Sequence, residues 1–163
     1  MNTYCLFCNT VKCALVAETI QRRLGYEAFS PKIVQRKWIK GVPIEEVHDF
    51  LPGYVFLYTE DVIESFQPIW SIEGVLRVLG NQDEGFLLQG TDERFAGMLH
   101  ANHGILGIMK VRQEGERVRL TKGGFGDVEG EIIRLDKRKG RAQVQYTFDG
   151  MTCTVWVGYE LIE

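Results

Sequence analysis

The sequence predicts an α+β fold, with helices packed on a mixed or antiparallel sheet in the first hundred residues and a small, strongly curved sheet or barrel at the end. Three observations carry this. Helical spacing of apolar residues follows an opening strand at Tyr4–Cys8. An aromatic and β-branched run, Leu51–Tyr58, has its proline at the start, where a missing N–H does least harm. Strict alternation on both sides of Asp149-Gly150 marks a hairpin.

The elements follow in order. After the opening strand, Cys13, Ala17, Ile20 and Leu24 form one buried helical stripe, and Gly25 stops the helix. Glu18, Thr19, Arg22 and Arg23 fall largely outside that stripe. The basic pair near the helix end reads equally as a solvated face that favours the helix dipole or as a nucleic-acid contact. Glu27–Lys40 is extended, with a hairpin tip around Gly41 and a basic set at Lys32, Arg36, Lys37 and Lys40. On the Leu51 strand, Tyr54, Phe56 and Tyr58 share one parity and Val55 and Leu57 the other. Both faces are therefore apolar, so either both are buried or one is an exposed docking patch. A short helix is expected over Ile63–Trp70, a strand over Val75–Leu79, and a helix over Thr91–Leu99 capped by Thr91 or Asp92.

From His100 to Glu116 the pattern loosens into a joint, apolar enough at Ile105–Met109 to dock on a neighbour. The expected division is residues 1–103, a linker at 104–114, and 115–163. In the last part, strands are expected at Arg117–Thr121 and Glu131–Asp136. Ala142, Val144, Tyr146 and Phe148 then alternate with Gln143, Gln145 and Thr147 before the Asp-Gly turn. Tyr146 belongs to the buried parity, while Trp156 shares the outward parity with Thr152 and Thr154.

Composition limits the function. The chain has 163 residues, 45% hydrophobic and 25% charged, with a net charge of −3, which argues against coating nucleic acid by bulk attraction. From Arg117 onward, however, eight basic residues face seven acidic ones, and much of that charge lies between Arg134 and Arg141. No run has the length to span a bilayer and no secretory leader opens the chain, so a cytoplasmic protein is expected. Its four cysteines, Cys5, Cys8, Cys13 and Cys153, then read as free and mostly buried thiols. A zinc site is disfavoured because Cys5 and Cys8 on a strand point to opposite faces and Cys153 is remote.

Catalytic chemistry is scarce. His100-x-x-His103 has no accompanying carboxylate or thiol motif and reads as surface or linker. Gly123-Gly124-Phe125-Gly126 lacks the Lys-Ser/Thr of a phosphate loop and reads as a turn of unusual φ that opens no helix. No enzyme, metal or cofactor is expected. The cluster Arg134, Lys137, Arg138, Lys139 and Arg141, at a turn between two strands, is the nucleic-acid candidate, the alternative being a solvated turn.

These segments, taken in order, resemble the NusG family of transcription factors. Tyr4-Cys5-Leu6-Phe7-Cys8-Asn9 resembles its opening strand, Leu51-Pro52-Gly53-Tyr54-Val55-Phe56-Leu57 its Phe-Pro-Gly-Tyr-Val signature, and Glu73-Gly74-Val75-Leu76-Arg77-Val78-Leu79-Gly80 the Gly-Val strand after its second helix. Gly124-Phe125 with Gly130 resembles the KOW core. The resemblance implies a NusG-type N-terminal sandwich plus a C-terminal KOW barrel, acting as a monomer that binds the clamp helices of RNA polymerase and opposes pausing and termination. It assigns polymerase contact to Phe7, Leu51, Pro52, Tyr54 and Phe56. In RfaH-type members basic residues near the first helix read the non-template DNA strand, which implies DNA contact by Asn9, Lys12, Arg22 and Arg23 here; Asn9, Thr19 and Glu73 stand where polar or basic readers are expected, and only Arg22 matches well.

The Leu106–Glu116 joint and the Asp136–Ala142 run are more similar to the specialised operon-directed antiterminators, of LoaP or RfaH type, than to the general factor. The strong β pattern of Ala142–Val157 argues against an RfaH-like helical state of this unit. In LoaP-type factors the KOW domain binds a nascent RNA hairpin, which implies RNA contact by Lys122, Arg134, Lys137, Arg138, Lys139 and Arg141. The alternative is a general elongation factor whose Phe125 contacts a ribosomal protein or Rho. A third possibility, a ribosome-associated KOW protein, is disfavoured by the Leu51 strand.

Overall fold

The computed structural model describes residues 1–121 and 123–162. Two compact units interleave along the chain: Met1–Pro31 with Asp49–Gly97, and Lys32–His48 with the chain from Met98 onward. The elements are β1 (Asn2–Cys8), α1 (Cys13–Leu24), β2 (Glu27–Phe29), β3 (Lys32–Ile39), β4 (Val42–Asp49), β5 (Tyr54–Thr59), α2 (Gln67–Trp70), β6 (Val75–Val78), α3 (Gly90–Ala101), β7 (Ile105–Leu106), β8 (Met109–Glu114), β9 (Arg117–Leu120), β10 (Glu131–Asp136), β11 (Arg141–Phe148) and β12 (Met151–Ile162).

The first unit is built on an antiparallel sheet of order β2-β5-β1-β6. In β1, Tyr4, Leu6 and Cys8 face one way, and with Val55 and Leu57 they pack against Cys13, Val16, Ala17 and Ile20 of α1. Gly25 ends α1 in the left-handed conformation, its N–H donating to the Gln21 carbonyl. On the opposite face, Phe95 of α3 lies 5.9 Å from Phe56 and 6.0 Å from Phe50. The Tyr58 hydroxyl donates to the Ala96 carbonyl at 2.6 Å. Of the two possibilities for the Leu51 strand, burial on both faces therefore holds from Val55 to Thr59.

Two helix boundaries differ from expectation. The helix expected over Ile63–Trp70 forms only at Gln67–Trp70, because Pro68 fits the first helical turn but would clash with a preceding one. The Ile63 N–H is instead taken by the Tyr4 hydroxyl at 2.9 Å. The third helix begins at Gly90, so Thr91 and Asp92 lie inside it, and Asp92 and Glu93 are first-turn carboxylates that favour the dipole. Thr19 also departs from its expected exposure: it is buried and its hydroxyl donates to the Leu15 carbonyl at 2.7 Å.

The second unit contains the β3–β4 hairpin, turned at Lys40-Gly41 with positive φ at both residues, and a sheet of order β4-β3-β7. A second, curled sheet has the order β10-β11-β12-β8-β9. Its spine is β12, which pairs antiparallel with β11 and then parallel with β8 through Tyr159–Ile162. Within the stretch expected to join the halves, β8 thus becomes part of the sheet, with Val111 wholly buried. Asp149 and Gly150 both have positive φ, as a two-residue turn between right-twisted strands requires. Ala142, Val144, Tyr146 and Phe148 are all buried.

The glycine-rich segment has the unusual φ expected, +101° at Gly123 and +50° at Gly124, and then closes as a short 3₁₀ turn over Gly124–Val128. A Cβ on Gly126 would lie 2.0 Å from the Thr121 carbonyl oxygen, a backbone atom that cannot step aside. Gly126→Ala is therefore expected to destabilise the protein by about 3 kcal/mol through overpacking, read as a lower urea midpoint at unchanged slope. Equal midpoints for the variant and the parent would contradict this packing.

Candidate functional site

In the first unit, the cover over the second sheet face ends before the sheet does. Thr3 and Cys5 are buried, whereas Phe7, next on the same face, is only half-buried. Strand register sets Phe7 between Tyr54 on β5 and Arg77 on β6. The Phe7 and Tyr54 rings meet edge to face at 5.5 Å and 68°, and the Arg77 guanidinium lies 5.5 Å from the Phe7 centroid. Such contacts contribute on the order of 0.5–1 kcal/mol each near solvent.

The platform continues into half-buried Leu51 and exposed Pro52. Gly53 makes this possible: its φ is +98°, its carbonyl accepts the Cys8 N–H at 2.7 Å, and a Cβ there would meet the Phe7 ring at 3.1 Å. Phe7, Leu51, Pro52 and Tyr54 are thus brought together. Phe56 is not among them, because it is 0% exposed beneath Phe95. Arg77 joins the platform although sequence reasoning did not single it out, since its place depends on which strand pairs with β1.

The residues assigned to DNA separate into two groups. Asn9 accepts the Val11 N–H at 3.1 Å, and Lys12 is ion-paired with Glu73. The Lys12 hydrogen bond, and then its charge, hold the Glu73 carboxyl below its ordinary range. Arg22 and Arg23 lie at the far end of α1, about 15 Å from Lys12 by helical rise. Both are exposed, Arg22 loosely paired with Glu18 at 3.8 Å. This weak pairing leaves Arg22 available to an anion, whereas Lys12 already has one.

In the second unit, Arg134, Lys137, Arg138 and Lys139 are exposed at and before the β10–β11 turn. The Lys139 N–H donates to Asp136 Oδ1 at 3.1 Å, which fixes the turn and leaves the cationic chains free to reach outward. Arg141 is partly buried, its guanidinium 5.5 Å from the centroid of Trp156. Trp156 is partly exposed and Tyr146 buried, as their parities imply. Lys122 lies outside the described residues. Phe125 does not offer a docking surface: it is 1% exposed and packs on Tyr146 at 5.2 Å.

All four cysteines are free thiols, with Cys5, Cys8 and Cys13 buried and Cys153 partly exposed. Among the described residues no group of three or more His, Cys, Asp or Glu side chains is arranged to hold a metal. Burial, with a smaller contribution from Cys13, pushes the Cys8 thiol up to about 12. At mildly alkaline pH it therefore stays protonated and unreactive. N-ethylmaleimide is expected to label Cys153 in the native protein and Cys8 only after denaturation, as read by peptide mass mapping. Native labelling of Cys8 as fast as Cys153 would contradict the burial.

Residues 1–93 match the family described as "Transcription termination factor nusG". The chain is also similar to the "Transcription termination/antitermination protein NusG" of Pasteurella multocida (strain Pm70), with 28% identity over 116 residues. That alignment covers 70% of this chain and 63% of the relative, so the chain spans less than two thirds of the relative's length.

Proposed function

The chain belongs to the NusG family of transcription termination and antitermination factors, and from that premise we propose that it binds the clamp helices of RNA polymerase, suppresses pausing and termination, and recognises a nascent RNA stem-loop through its KOW segment, 115–163. The observation that carries the polymerase assignment is the open aromatic platform of Phe7, Tyr54 and Arg77 with Leu51 and Pro52. An aromatic and arginine cluster, flanked by apolar side chains and held on rigid strands, has the composition of an interface hot spot. No catalysis is needed. A factor with higher affinity for the unpaused polymerase than for the paused one shifts the population by that difference alone.

Arg22 and Arg23 are the residues of α1 suited to the non-template DNA strand. The RNA assignment rests on Lys137, Arg138 and Lys139, exposed on a turn whose backbone is fixed by Asp136. The general-factor alternative, in which Phe125 recruits a ribosomal protein or Rho, is disfavoured because that ring is in the core.

Phe7→Ala combined with Tyr54→Ala is expected to weaken binding to core RNA polymerase by about thirtyfold, the size of a modest hot spot, with the protein still folded. Unchanged affinity would remove the platform from the polymerase contact. Changing Lys137, Arg138 and Lys139 to Ala is expected to lower stem-loop RNA affinity and reduce the slope of log K against log salt by roughly 2 to 3, measured by fluorescence anisotropy. An unaltered slope would instead favour a protein partner for this segment.

A further inference from the structure

Two basic segments far apart in sequence, Lys32–Lys40 and Lys137–Arg141, meet within the second unit. The Gln35 side chain donates to the Trp156 carbonyl at 2.6 Å, and Arg36 is ion-paired with Glu160. At Gly158 the two strands come into ordinary contact, a Cβ there lying 3.7 Å from the Arg36 backbone nitrogen. Strand β3 is thus held along β12. The result is a groove of about 410 Å³ whose lining includes Arg36, Lys37, Trp38, His48, Lys139 and Arg141.

The charges within it are unevenly neutralised. Glu46, the carboxylate of the groove lining, lies 3.7 Å from Lys37 and 3.2 Å from His48, and Arg36 is taken by Glu160. The Lys139 ammonium has no such carboxylate among the described residues. Arg141 Nε is buried without a hydrogen-bond partner, a costly state for a charged donor. Beside these cations Trp38 is 50% exposed, a large aromatic surface left in water.

An exposed cation without a carboxylate partner, Lys139, beside the partly buried Arg141 and an open aromatic face matches one ligand chemistry, a phosphodiester chain with an unstacked base. A duplex satisfies the cations but not Trp38, because its bases are already stacked on one another. We propose that this groove holds an unpaired stretch of RNA, one base stacked on Trp38 and its phosphates on Lys139 and Arg141, beside the stem-loop contacted by Lys137 and Arg138. The neighbouring stem-loop belongs to the function proposed above, whereas the groove is argued from its own lining.

The test uses the full chain, with Trp38→Ala and Trp38→Phe as variants and far-UV circular dichroism to verify folding. The probes are a blunt GC-rich RNA stem-loop, the same stem-loop with an unpaired uridine tail, oligouridylate and oligodeoxythymidylate. The tail is expected to tighten wild-type binding about tenfold, in line with stacking of a single base. Trp38→Ala should abolish that gain while leaving the blunt stem-loop unaffected, and Trp38→Phe should keep most of it. The proposal is overturned if the tail adds nothing, or if Trp38→Ala weakens blunt and tailed RNAs alike. Trp38-dependent binding of oligouridylate without stem-loop binding would support the groove and remove the stem-loop reading. Binding to none of the probes would remove both, and tighter binding to oligodeoxythymidylate would overturn the assignment to RNA.

Discussion

The pairing of Tyr54–Thr59 with Asn2–Cys8, covered on both faces, is the constraint on which the first unit depends. On one side Tyr4, Leu6, Val55 and Leu57 meet α1, and on the other Phe56 and Tyr58 meet Phe95 and Ala96. Burying each large side chain contributes about 1.5–3 kcal/mol. Once the pair is sandwiched, a one-residue slip would exchange every side chain between faces, so its register is fixed. The platform at Phe7 is the uncovered end of that same ladder. Its geometry therefore comes from the core, which is why it is rigid although it borders solvent.

A comparable division of labour operates in the second unit. The long strand β12 pairs with β11 in one direction and β8 in the other, so a single segment connects the hairpin to the chain that precedes it. Buried Tyr146, Phe148 and Phe125 fill the inner face. At the β10–β11 turn Asp136 fixes the backbone, and the long cationic side chains there keep their reach. Gly126 serves this arrangement by absence, leaving room for the Thr121 carbonyl where any side chain would collide.

Much of this was legible. The helical stripe from Cys13, its stop at Gly25, the Asp149-Gly150 turn and the burial of Ala142, Val144, Tyr146 and Phe148 follow from periods and turn chemistry that act within a few residues. The motif order from Tyr4 through Gly53 to Glu73 pointed to the NusG family, in which residues 1–93 place the chain. Legibility failed where a second element decided the outcome. Thr19 is buried although its position on the wheel pointed outward, whereas Pro68, which starts its own helix late, was a local signal the hydrophobic pattern hid.

The candidate sites show the same boundary most clearly. Sequence determined the local conformations and which residues carry charge or aromatic surface, because those properties belong to the side chains and their nearest neighbours. It did not determine which of them remain accessible. Phe56 and Tyr54 share one parity of one strand, yet Phe95 covers the first and leaves the second open. Phe125, Arg77 and the meeting of Trp38 with Arg141 depend likewise on partners distant in the chain. Accessibility is a property of packing between elements, and tertiary structure alone brings those elements together.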